Sequence, residues 1–247
     1  MFHTEVTGDV VRWTIDRPRQ KNALDRATLG ALAAAVREAA RGPYRAAILG
    51  AKGEIFVAGG DLKDLDGHAA EDAAYLSDTG AALTNALVAL PFPVIAVLNG
   101  PAIGGGAELA VACDLRIAHP RARLSFKQVR MGVTTSWGMV PRLVALAGAG
   151  TAARLLYTAH DVPAEECLRL GLVDAVDEEA DALALRWAAD IAAGAPGAIA
   201  ATKEILNAGA DARALERERF ITCWSSGDHE EAVAAFFAKR PPVFRPR

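Results

Sequence analysis

Polar and apolar residues alternate from Val10 to Ile15, with Val11, Trp13 and Ile15 on one face and Arg12 and Thr14 on the other. A period of two predicts a strand buried on one side, closed by Pro18. Asp25 then reads as an N-cap, and Leu29, Leu32, Ala33 and Val36 recur at helical spacing, which predicts a helix over 27–41 stopped by Gly42-Pro43. Apolar runs of strand length follow at 45–50 and 93–98. Between them, 56–61 reads as a loop, Asp61 as the N-cap of the next element, and 67–91 as mostly helix. A loop over 100–106, a short helix over 108–113 and a strand over 115–118 come next. Beyond Trp137 the strand signals fade. Helices are predicted over 140–147, 151–157, 164–170, 181–193, 198–206, 212–224 and 229–239, with one short strand near 172–176. Strands alternating with helices, then helices alone, predict an α/β core followed by a helical region.

Composition narrows the function class. Hydrophobic residues make up 52 % of the 247 and charged residues 23 %, enough apolar surface for a large core and too little charge for disorder. The net charge of −3, with basic residues bunched only in the short tail, argues against nucleic acid as a partner. Charges or glycines interrupt every apolar run before it reaches membrane-spanning length, so no membrane partner is expected. Residues 1–6 carry no secretory pattern, and Cys113, Cys167 and Cys223 are odd in number and far apart. Both fit reduced thiols and a cytoplasmic location. His3, His68, His119, His160 and His229 show no paired metal-ligand spacing, so no metal site is expected, and His68 is expected on the surface.

Two glycine loops carry the candidate chemistry. Ala58-Gly59-Gly60-Asp61-Leu62 and Gly104-Gly105-Gly106-Ala107-Glu108-Leu109 each follow an apolar strand and precede a helix. Glycine lets a backbone approach a ligand closely, and a helix N-terminus points free N–H groups outward. Two such loops can each offer one N–H to a single oxygen, as an oxyanion hole does. Taken singly, each loop reads equally well as a plain turn. Neither matches a dinucleotide or phosphate-binding spacing. Glu108, just after the glycine triplet, is a candidate proton donor or acceptor, or simply an acidic residue favoured in a helix's first turn.

The pieces taken in order resemble the crotonase (enoyl-CoA hydratase/isomerase) superfamily. They are Arg17-Pro18 with Lys21-Asn22-Ala23-Leu24, 56–62, Asn99-Gly100-Pro101-Ala102-Ile103 running into the glycine triplet, Cys113-Asp114, Gly132, Trp137-Gly138 and Arg142-Leu143, and the tail around Glu231-Ala232, Phe236 and Lys239-Arg240-Pro241. The resemblance implies an α/β fold: a spiral of ββα units over 1–190, and a C-terminal helical trimerisation region over 191–247. It implies an acyl-CoA thioester substrate, no cofactor beyond the coenzyme A that the substrate carries, and a homotrimer or a dimer of trimers. By position it makes the N–H groups of Gly60 and Gly105 the oxyanion donors and Glu108 the acid–base. Lys21, Ala23 and Leu24 would line the coenzyme A entrance and Ala58 would lie against its adenine. Gly59, Asp61, Leu62 and Gly104 would also contact the substrate, and Phe236 and Lys239 would stand near the coenzyme A of the same or a neighbouring subunit.

One departure bears on the reaction. Hydratases of this family carry a second catalytic glutamate four residues before a glycine, and counting back from Gly132 gives Gln128. No Asp or Glu occurs anywhere over 115–160. A glutamine holds a water but cannot take its proton. Weak hydration is therefore expected, and decarboxylation of a 2-carboxyacyl-CoA is favoured, since it needs the oxyanion hole, one proton shuttle and no repelling second carboxylate. Met131-Gly132 with Ser136-Trp137-Gly138 resembles the ethylmalonyl-CoA decarboxylase branch, in which Trp137 would be an apolar wall, although core packing explains it as well. A hydratase or Δ3,Δ2-enoyl-CoA isomerase using Glu108 alone is the alternative. A non-catalytic acyl-CoA-binding or scaffold member is the alternative of another class.

Overall fold

The computed structural model describes residues 1–64 and 70–245. The predicted strand at the start is β2 (Val10–Ile15), and its inward face is as expected: Val11, Trp13 and Ile15 are almost fully buried. It pairs antiparallel with β1 (Phe2–Thr7) and parallel with β3 (Ala46–Ala51), reached through α1 (Arg26–Ala39). Asp25 caps α1 by accepting from the Thr28 N–H at 2.7 Å, and Leu29, Leu32, Ala33 and Val36 face the core. The chain continues through α2 (Ala70–Ala89), β4 (Val94–Leu98), β5 (Ala102–Ile103), α3 (Gly105–Ala112), β6 (Leu115–Ala118) and β7 (Arg123–Ser125). Then come α4 (Met139–Ala147), α5 (Ala149–Thr158), β8 (Asp161–Pro163), α6 (Ala164–Arg169), β9 (Ala175–Val176) and α7 (Ala180–Ala192). The chain finishes with α8 (Pro196–Asn207), α9 (Ala212–Trp224) and α10 (Gly227–Phe237).

Six strands form the main sheet in the order β1-β2-β3-β4-β6-β9, parallel except for the β1–β2 pair. A second sheet, β5-β7-β8, lies beside it. One core fills the space between the main sheet and α1, α2 and α3. A smaller cluster joins Ile48, Ile95 and Ile117 to Ala180, Ala184 and Ala188 of α7 on the other face. Strands covered on both faces read as continuous apolar runs, which is why β3 and β4 stand out in the sequence.

Several boundaries move. Residues 100–106 are not all loop: β5 runs through them, and α3 starts at Gly105, so Glu108 is inside its first turn. Glycines at the opening of a helix leave an apolar pattern only from Ala107 onward, and that hid the start. Asp61 does not cap a helix. It accepts from the Lys63 N–H in a turn and pairs with Arg17, while the described part of α2 begins at Ala70. The expectation for His68 lies outside the described residues. Strands β1, β7 and β8 were not expected. Among the described residues no helix is long and apolar enough to cross a membrane. Cys113 and Cys167 are free and buried, and burial pushes both thiols up to about 12.

Candidate active site

The two glycine loops leave the C-terminal ends of the neighbouring parallel strands β3 and β4, where open α/β sheets place their ligands. Backbone bonds stitch them together. The Phe56 N–H donates to Pro101 O at 3.0 Å and the Ile103 N–H to Val57 O at 2.9 Å. Gly106 lies so close to Val57 that a methyl there would overlap the Val57 carbonyl. Gly104 has φ +55° and ψ −118°, a conformation that only glycine holds without strain. A third segment braces the first loop. The Leu24 N–H donates to Gly59 O at 2.8 Å and the Asp61 N–H to Leu24 O at 2.9 Å.

That brace is organised by two side chains to which the sequence pattern gave no role. Asn22 is fully buried; it accepts from the Arg17 N–H and donates to the Lys52 and Ile55 carbonyls at 2.8 and 2.7 Å. Arg17 binds Asp25 and Asp61 and donates to the Ala23 carbonyl. The signal available was the dense polar run Arg17–Asn22 beside an apolar strand.

As a result the Gly60 and Gly105 N–H groups, both half-buried, have no acceptor among the described residues. The Gly105 N–H is also the first of α3, so the helix dipole adds to its donor strength. Beside them Glu108 is only 3 % exposed. Its Oε1 accepts from Gln128 Nε2 at 3.0 Å and its Oε2 from the Trp137 N–H at 2.8 Å. Burial raises the Glu108 pKa above the ordinary carboxylate value, opposed by these two bonds, by the Ser136 N–H and by the positive charge of Arg142. Gln128 opens a short 3-10 turn, Gln128–Met131. A carboxylate only accepts, so the amide turns its NH2 to Glu108, and Gln128 Oε1 is left buried without a partner among the described residues.

Arg142 completes the frame. Its Nη1 donates to Trp137 O at 2.7 Å and its Nη2 to Asn85 Oδ1 at 3.0 Å. It therefore holds the peptide segment that clamps Glu108. A lone arginine inside the apolar run Met139–Ala147 was the visible sign of it.

The remaining expected residues divide. Gly59 is packed against Gly105 and Ile103, and the Gly104 N–H donates to Ser125 O of β7 at 2.8 Å. Lys21 and Ala58 meet at the first loop, where the Ala58 N–H donates to Lys21 O at 3.2 Å, while Ala23 donates to Gln20 O and accepts from Arg17. The Leu24 side chain is core, 1 % exposed, so it contributes backbone bonds and not an entrance wall. Leu62 is exposed beside Asp61. Phe236 and Lys239, at the end of α10, are exposed and make no hydrogen bond to the loops among the described residues. Trp137 is 2 % exposed and lies against Gly105.

The arrangement suits chemistry that builds negative charge on one oxygen and moves a proton beside it. Comparison with known proteins agrees. Residues 5–247 match the family described as enoyl-CoA hydratase/isomerase. The short-chain-enoyl-CoA hydratase of Clostridium acetobutylicum is 36 % identical, covering 96 % of this chain and 94 % of that protein. The crotonyl-CoA hydratase of Syntrophomonas wolfei is 34 % identical over 93 % of this chain and 92 % of its own. The crystal structure of an enoyl-CoA hydratase from Bacillus anthracis superposes with a TM-score of 0.95 at 30 % identity, covering 100 % of this chain and 99 % of that one. With matches along almost its whole length and a shared fold, the chain belongs to the enoyl-CoA hydratase/isomerase family of the crotonase superfamily.

Proposed function

We propose that the chain hydrates a 2-enoyl-CoA thioester with Glu108 as the sole ionisable acid–base. The observation that carries this reading is the Gln128 amide, which donates to Glu108 and leaves Oε1 free beside it. That oxygen is an acceptor suited to one hydrogen of a water whose other hydrogen meets Glu108. Glu108 takes the proton as the water oxygen bonds to the substrate β-carbon. The electron pair of the double bond moves onto the thioester oxygen, between the Gly60 and Gly105 N–H groups. Glu108 then returns the proton to the α-carbon, the carbonyl re-forms, and one water has been added. A second acid–base group is worth roughly a hundred- to ten-thousand-fold, so this route is slower than one with two carboxylates.

The names of the relatives favour hydration over the decarboxylation expected from Gln128 alone. Decarboxylation remains the second reading because the neutral amide would not repel a substrate carboxylate. Crotonyl-CoA and ethylmalonyl-CoA assayed in parallel test the choice. Loss of enoyl absorbance without CO2 release, abolished in Glu108→Ala, is the expected result. CO2 release with no hydration overturns it.

A further inference from the structure

Trp137 is held at every polar atom. Its indole Nε1 donates to Leu76 O on α2 at 2.9 Å, its N–H to Glu108 Oε2, and its carbonyl accepts from Thr84 Oγ1 and Arg142 Nη1, both at 2.7 Å. The ring spans from α2 to the start of α3. On α2 it fills the space over Gly80, where a methyl would overlap Cε2 and Nε1. At the other end its Cη2 stands 2.8 Å from where a methyl on Gly105 would be. Two glycines on separate elements thus make room for one indole, directly beside an oxyanion donor and the acid–base carboxylate.

We propose that the Trp137 indole is the end stop of the acyl chamber, so that the site takes short acyl thioesters and rejects long unbranched ones. The inference rests on the acyl-CoA reading above. With its oxygen on the Gly60 and Gly105 N–H groups and its α- and β-carbons at Glu108, an acyl chain is aimed at the ring that backs both. The indole cannot turn aside without leaving its N–H buried and unbonded. An apolar wall of this kind discriminates by the methylenes it excludes.

The test is direct binding of saturated thioesters, which need no turnover. Titration calorimetry compares free coenzyme A, butyryl-CoA and octanoyl-CoA on the wild type, Trp137→Ala and Trp137→Phe. The wild type is expected to bind butyryl-CoA more tightly than octanoyl-CoA. In Trp137→Ala, which keeps the backbone N–H on Glu108, each added methylene gains contact worth about fourfold, so octanoyl-CoA tightens on the order of a hundredfold. Trp137→Phe, with a ring still over Gly105, shows the same shift at smaller size and replaces the alanine variant should that not fold. A wild type that binds octanoyl-CoA as tightly as butyryl-CoA overturns the end stop while leaving the acyl-CoA reading intact. Neither thioester binding better than free coenzyme A overturns both.

Discussion

Gln128→Glu places a second carboxylate at the 3.0 Å contact now made by the amide. At an effective dielectric near 20, two ionised carboxylates at that distance repel by about 5 to 6 kcal/mol. Taking up one proton at pH 7 costs a glutamate about 4 kcal/mol relative to the unfolded chain, and about 1 kcal/mol at pH 5. Repulsion exceeds either figure, so the folded pair holds one proton. The cost is less than the full amount, because burial has already raised the Glu108 pKa and the shared proton forms a charge-assisted bond. The folded protein then binds more protons than the unfolded one, and its stability falls as pH rises. Urea unfolding should show Gln128→Glu destabilised by about 2 to 4 kcal/mol at pH 7 and by about 1 kcal/mol or less at pH 5, with unfolding at pH 7 releasing more protons than in the wild type. The pair then holds one acid and one base, and crotonyl-CoA hydration should rise about a hundredfold or more. An equal loss of stability at both pH values, with no extra proton, would refute the placement of Gln128 against Glu108.

Glu108→Gln should abolish hydration yet stabilise the fold at pH 7. Because burial raises the folded-state pKa, the cost of the wild-type carboxylate is absent below its ordinary value of 4.5, grows above it and is complete above the raised value, so the gain should vanish below pH 4.5, as thermal unfolding at the two pH values would show. Arg142→Met removes a charge that favours ionised Glu108, so the acid limb of kcat/KM, which follows the basic form of Glu108, should move to higher pH. Lys203→Met takes the cation from the half-buried Asp114 carboxylate and leaves two carbonyls without their donor, at a cost of about 2 to 3 kcal/mol in urea unfolding.

What the sequence shows depends on how local the cause is. Trp13 and Ile15 reveal their strand because one buried face imposes alternation on a six-residue stretch. β1, at the sheet edge, mixes His3, Thr4 and Glu5 with few apolar residues, and β7 is three residues long, so neither imposes a readable period. At the site, Glu108 and the glycines are visible because the backbone itself demands them. Asn22 and Arg142 each have one partner five residues away, but like the Gly80–Trp137 fit they also depend on partners 30 to 57 residues away, which no short window along the chain contains.

Lys203 has a consequence for the growing chain. Its ammonium closes off Asp114, two residues past the end of the helix that carries Glu108, and the two lie 89 positions apart. At about 5 to 20 residues per second, a ribosome exposes Asp114 roughly 4 to 18 s before Lys203 follows. During that interval the carboxylate lacks its cation, and the end of α3 lacks the bond to α8. Locking the C-terminal end of α3 to α8 is therefore a late event in biosynthesis, coupled to emergence of the C-terminal helices and not to completion of the sheet.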